Sequence, residues 1–193
     1  MTKSNLVIGA TGLTGLNCIQ KLSEQDKGNE IHAFVRSADK LDDSIRQRVD
    51  STQVGDARKP SSLRKALRKT NANWVVVAIG SGGDVSKSDI RTKSAQALVQ
   101  VLVEPEFSAV RTVVVSSNGA GTSKIKVGFG IGMMIAHHLR HVMVDHSGQE
   151  EAFKAISHRT IVVRPTALTN GASTGKLVSF PDDTKSPTIK TDR

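Results

Sequence analysis

The chain has 193 residues, 37% hydrophobic and 23% charged, with a formal charge of +9. That length suits one α/β domain, residues 1–193, rather than two, and the composition excludes a disordered chain. No apolar run approaches the ~18 residues of a membrane span, and Met1-Thr2-Lys3-Ser4 leads straight into a strand pattern without room for a signal peptide. A cytoplasmic protein with no membrane partner is therefore expected, and with Cys18 as its only cysteine it has no internal disulfide.

In chain order, Asn5-Leu6-Val7-Ile8-Gly9 reads as a short buried strand. Leu13, Leu16, Ile19 and Leu22 then switch to helical spacing over 12–24. Ile31, Ala33 and Val35 alternate as a second strand, and Val54 marks a brief third one ending at Gly55. Pro60 starts a basic helix. Trp74-Val75-Val76-Val77-Ala78-Ile79 is continuously apolar, as in a strand covered on both faces of a parallel sheet. Residues 89–103 read as a helix, Arg111 to Val115 as a strand, 137–156 as a long helix and Thr160 to Val163 as a last strand. This alternation predicts an α/β fold, a Rossmann-type doubly wound parallel sheet with helices on both faces. The stretch from Thr169 onward, rich in Gly, Ser, Thr, Asp and Pro, reads as a looser appendix over the end of the sheet.

The loop Gly9-Ala10-Thr11-Gly12-Leu13-Thr14-Gly15 follows the first strand and opens the first helix, which is the setting that gives a glycine triplet meaning. Gly9 serves the turn, Gly12 lets a pyrophosphate approach the main chain, and Gly15 lets the helix pack closely; the helix N-terminus adds unpaired N–H groups. Thr11, Leu13 and Thr14 join the candidate cofactor contacts. The second strand ends in Val35-Arg36-Ser37, where an NAD-specific domain usually carries an acid for the ribose 2′-hydroxyl. Arg36 inverts that charge; with Ser37 and Lys40 it suits a 2′-phosphate, hence NADPH, or else forms an exposed basic loop.

Asp56, in Gly55-Asp56-Ala57, is placed either to accept from the adenine amino group or to shape a turn. The run Gly80-Ser81-Gly82-Gly83 lets a cofactor lie across the strand ends, or is only a flexible turn. The fifth strand ends in Ser116-Ser117-Asn118, so a hydroxyl, preferably that of Ser116, faces the hydride-transfer site.

These motifs, with Glu151 and Val162-Val163-Arg164-Pro165, make the chain resemble an atypical short-chain dehydrogenase/reductase of the NmrA-like, NAD(P)H-binding group, nearest its biliverdin/flavin reductase branch. The resemblance implies further cofactor contacts from Ala57, Ile79, Gly80, Ser81 and Pro165. Ordinary members use a Tyr-x-x-x-Lys pair, but this chain contains no Tyr. The lysine position falls on His146, preceded by Asp145; His146 then relays a proton or holds the cofactor ribose, or is a surface histidine. Without a tyrosine acid the expected acceptors are conjugated or aromatic small molecules such as flavins, quinones and tetrapyrroles, which delocalise the charge left by hydride addition. The alternative is a catalytically silent NADP(H)-binding regulator that acts through a protein partner.

His137, His138 and His141 share a helix face but lack a His-Glu-x-x-His pattern and an acidic cluster, so no metal is expected. Gly128-Phe129-Gly130-Ile131-Gly132-Met133-Met134 reads as an apolar lid over the substrate or as plain helix packing. Arg64, Lys65, Arg68 and Lys69 read as a solvated face rather than a nucleic-acid patch, since stacking aromatics are scarce. Ser186 to Arg193 resembles a family segment that leads into another helix on the sheet. If that helix is missing, uncovered apolar surface favours a homo-oligomer; the other reading is that residues 170–193 close the domain themselves.

Overall fold

In the computed structural model, which describes residues 3–25, 28–123, 131–166 and the isolated positions 168, 175 and 179, the first strand, β1 (Ser4–Ile8), is buried along its whole length. Its apolar side chains serve two cores. Leu6 and Ile8 pack on one face with Leu63, Leu67 and Leu98, while Val7 packs on the other with Ile19, Ala33 and Val35. Each such aliphatic side chain contributes about 1.5–3 kcal/mol on burial. That is the physical basis of the doubly wound arrangement.

β1 pairs in parallel with β2 (Glu30–Val35) on one side and β4 (Trp74–Val77) on the other. Adding β3 (Ser51–Val54), β5 (Arg111–Val115) and β6 (Thr160–Val163) gives a parallel sheet of order β3-β2-β1-β4-β5-β6. The order reverses between β1 and β4, and ligands of such sheets bind at that switch, outside the carboxyl ends of the strands.

The helices are α1 (Leu13–Gln25), α2 (Asp43–Arg46), α3 (Pro60–Thr70), α4 (Ile90–Leu102), α5 (Ile131–His138) and α6 (Arg140–Phe153). Pro60 occupies the first turn of α3, and Asn71 closes it in the left-handed conformation. Among the described residues no helix is long and apolar enough to cross a membrane.

Three sequence expectations shift. The long helix of 137–156 is divided at Leu139 into α5 and α6 and ends in a 3-10 segment, Lys154–Arg159, with no Gly or Pro to mark the breaks. The fourth strand stops at Val77, one residue after which the Ala78 amide still donates to Ile8 and the glycine turn lies against the Ala78 carbonyl. β6 is exposed along Ile161, Val162 and Val163, unlike the central strands. The appendix from Thr169 onward, the segment Ser186 to Arg193 and residues 128–130 of the apolar lid lie outside the described residues, save for positions 175 and 179.

Candidate functional site

The turn after β1 is built by two close backbone approaches. Gly9 has φ +89° and lies against Ala78; a Cβ on Gly15 would strike the Gly9 carbonyl. Gly12 differs, since a Cβ there would meet the Gly9 carbonyl oxygen only at 3.4 Å, an ordinary contact. The Gly12 amide donates to Gly9 and the Leu16 amide to Gly12. Among the described residues no acceptor meets the amides of Leu13, Thr14 or Gly15 between them. The first turn of α1 carries no acidic side chain. Three open N–H groups at a helix N-terminus form a ready anion site. Thr11 and Gly12 are exposed beside it, and Leu13 is 67% exposed despite its apolar side chain.

At the carboxyl end of β2, Arg36 is exposed and makes no hydrogen bond or ion pair among the described residues. Lys40, also exposed, is likewise unpaired. The Ser37 hydroxyl donates to Asp39 at 3.3 Å, and Arg46 braces the turn by donating to the carbonyls of Ala38 and Leu41. Asp56 is already engaged. It accepts from the Arg58 amide, Nε and Nη2, and this pairing holds its carboxyl down at about 2. That is turn-shaping behaviour; Ala57 beside it is half-buried against the core.

Beyond β4, Ile79 is half-buried against the core, Gly80 is exposed, and the Ser81 hydroxyl donates to the Asp84 carbonyl within its own loop. Parallel pairing continues past β5 and β6: the Ser116 amide donates to Val163 and the Asn118 amide to Pro165. Ser116 and Pro165 are thereby brought to one edge.

The Ser116 side chain is buried, and its hydroxyl donates to Glu150, whose carboxylate also takes Nε and Nη2 of Arg164. His146 is buried too, against the reading of a surface histidine. Burial first, and the Arg91 cation second, push its pKa down to about 4, so the ring is neutral near pH 7. Its Nδ1 has no partner among the described residues. Asp145 accepts from the amides of Arg91 and Thr92, from Thr92 Oγ1 and from Arg91 Nη1. It thus caps α4 from α6, where the local candidate Asp89 makes no capping bond.

Two residues that matter here escape a reading by motif. Arg91 and Glu150 each sit in an apolar helical stripe, Arg91 with Ala95, Leu98 and Leu102, and Glu150 one turn before Phe153. That spacing was the available signal. Glu151, the acid quoted in the motif, pairs on the surface with Lys154.

A cleft of about 1150 Å³ opens at the same end of the sheet, between the loop after β4 and the α5–α6 junction. Val85, Met133, Met134 and Leu139 supply apolar walls. His137, His138, Arg140 and His141 line it as well, with Asp84 opposite. Among the described residues no group of three His, Cys, Asp or Glu side chains is arranged to hold a metal. On α3, Arg64 and Arg68 make bidentate pairs with Glu104 and Glu106, which offsets much of that basic face.

The family model described as NAD(P)H-binding matches residues 9–193. No curated protein matches the sequence at a significant level. Among solved structures, a provisionally assigned NAD-dependent epimerase/dehydratase from Bacillus halodurans has TM-score 0.66 at 24% identity, over 89% of this chain and 74% of that one. The anaerobillin reductase ChuY of Escherichia coli O157:H7 has TM-score 0.62 at 19% identity, over 89% and 77%. A short-chain dehydrogenase/reductase from Veillonella parvula, solved with NADP, has TM-score 0.60 at 18% identity, over 85% and 69%. At these identities the likeness is one of fold.

Proposed function

The chain belongs to the NAD(P)H-binding family, and from that premise we propose that it is an NADPH-dependent reductase of a conjugated or aromatic acceptor. The observation that carries this reading is the pairing of three open amides at the start of α1 with an unpaired Arg36 at the end of β2. The amides suit a diphosphate and Arg36 a 2′-phosphate, a combination that favours NADPH over NADH.

When bound, the dinucleotide supplies a hydride. The chain's part is to hold it and to exclude water. Gly12 leaves the main chain approachable, Leu13 offers an apolar edge, and the cleft beside Met133 and Met134 has room for a bulky ring system. Ser116 is tied to Glu150 and His146 is neutral, so neither is set up as a strong acid near pH 7. That favours acceptors such as flavins, quinones or tetrapyrroles, which spread the charge of hydride addition and take their proton from water.

The test is NADPH oxidation with a panel of flavins, quinones and biliverdin, together with thermal shifts in NADPH and NADH. Turnover of at least one acceptor and a larger shift in NADPH are expected. Tight NADPH binding without turnover of any acceptor would instead favour the regulatory reading.

A further inference from the structure

We propose that Arg91 is a second anion-binding group of the cofactor site and holds the phosphate and ribose oxygens on the nicotinamide side of the dinucleotide. The inference rests on the dinucleotide reading above and adds to it a residue that lies outside the glycine turn.

Arg91 is the second residue of α4, in the helix stripe that otherwise buries Ala95, Leu98 and Leu102. Its side chain is only 9% exposed. A guanidinium so placed needs compensation. Asp145 provides part of it through Nη1 at 3.3 Å, but the same carboxylate also serves two backbone amides and the Thr92 hydroxyl. Nε is buried without any partner, and Nη2 makes no hydrogen bond among the described residues. One charge is thus shared among four donors, leaving the guanidinium under-compensated on the side away from Asp145.

That side includes Nη2, which lies next to Gly80 in the loop after β4. A Cβ on Gly80 would lie 3.3 Å from Nη2, so the glycine is what keeps this nitrogen approachable. Gly80 is two residues beyond Ala78, against which Gly9 packs, and two residues span at most ~7 Å. Arg91 Nη2 therefore lies on the β4 flank of the diphosphate-binding turn, next to the loop two residues past the point that Gly9 touches. Arg36 stands on the opposite flank, at the end of β2. A dinucleotide laid across the switch point with its adenosine half at Arg36 brings its other half toward β4. The chemistry that fits a half-compensated guanidinium there is a phosphate oxygen with its neighbouring ribose oxygens.

The experiment is calorimetric titration of the full chain with NADP+ and with adenosine 2′,5′-bisphosphate, which keeps the adenine half and lacks the nicotinamide half. Arg91→Lys retains a cation for Asp145 but loses the fork. Gly80→Ala crowds Nη2 while leaving the buried pair untouched, so it reports even if the Arg91 variant folds poorly. Both substitutions should weaken NADP+ binding about tenfold or more, as for a lost charge-assisted hydrogen bond, and leave the bisphosphate unchanged. Arg36→Gln should weaken both ligands. Equal loss of both ligands in the Arg91 and Gly80 variants, or no loss of either, overturns the role of Arg91. Failure of both ligands to bind the unaltered chain overturns the dinucleotide reading itself.

Discussion

Ser116 and Glu150, residues 34 positions apart, share a buried hydrogen bond in which the serine hydroxyl donates to a carboxylate also gripped by Arg164. The hydroxyl expected at the hydride-transfer edge therefore has a structural partner. Ser116→Ala should retain NADPH affinity and slow turnover by well under the ~10²–10⁴ of a lost general acid. It should cost about 1.5–3 kcal/mol of stability, the range for a bond to a charged group. Steady-state kinetics and urea unfolding check both; abolished turnover with intact NADPH affinity would show a dedicated acid after all.

Arg36 supplies the cofactor test. Stabilisation by a ligand follows RT ln(1 + [L]/Kd), so the unaltered protein should melt higher in NADPH than in equal NADH. Arg36→Asp should remove or reverse that preference, because a carboxylate repels the 2′-phosphate and accepts from a 2′-hydroxyl. Equal shifts in the unaltered protein would refute the role of Arg36.

His146 sets an acid limb on stability. Its pKa falls from the usual 6.5 to about 4 on folding, so between those values the unfolded chain binds the proton more readily. Stability should therefore drop as pH falls through that window, by up to roughly 3 kcal/mol, and this contribution should level off below it. His146→Gln should flatten that part of the profile. Urea unfolding between pH 7 and pH 4, compared for the two proteins, reads the difference; identical profiles would remove His146 as the source.

The glycines of the turn should separate into structural and ligand-facing members. Gly9→Ala forces a left-handed backbone and a collision with Ala78, so the fold should lose several kcal/mol or fail. Gly12→Ala meets only an ordinary contact and should melt near the unaltered protein, yet bind NADPH more weakly. Melting curves with and without NADPH decide. Weakened folding with unchanged affinity in Gly12→Ala would reverse the assignment.

The strands and the glycine turn were legible because their information is local. β1 and β4 are apolar enough to name themselves, Pro60 marks α3, and the turn has the spacing that its backbone requires. The exposed place of Arg36 just after β2 was legible for the same reason, since only the end of that strand was needed. The polar lining between α4 and α6 was not. Asp145 acts on amides 53 and 54 residues away, and Glu150 acts on Ser116, so their roles depend on which helices meet. Motif alignment chose Glu151 over its buried neighbour, whereas helical spacing from Phe153 points inward at Gln149 and Glu150. The engagement of Asp56 by Arg58 was equally hidden, because either role needs the same carboxylate in the same loop.

Asp145 also ties the start of α4 to the timing of synthesis. The first turn of α4 receives its cap from α6, and Asp89 makes no substitute bond. On a ribosome adding about 5–20 residues per second, a nascent chain that has just completed α4 must wait seconds for its cap. During that interval the glycine turn and β1 to β4 have all they need to pair, while the start of α4, and Arg91 with it, has no carboxylate to anchor it. On the proposed role of Arg91, cofactor offered to such a fragment meets half of a clamp. Release of the chain past α6 is therefore the event that anchors Arg91 and the start of α4.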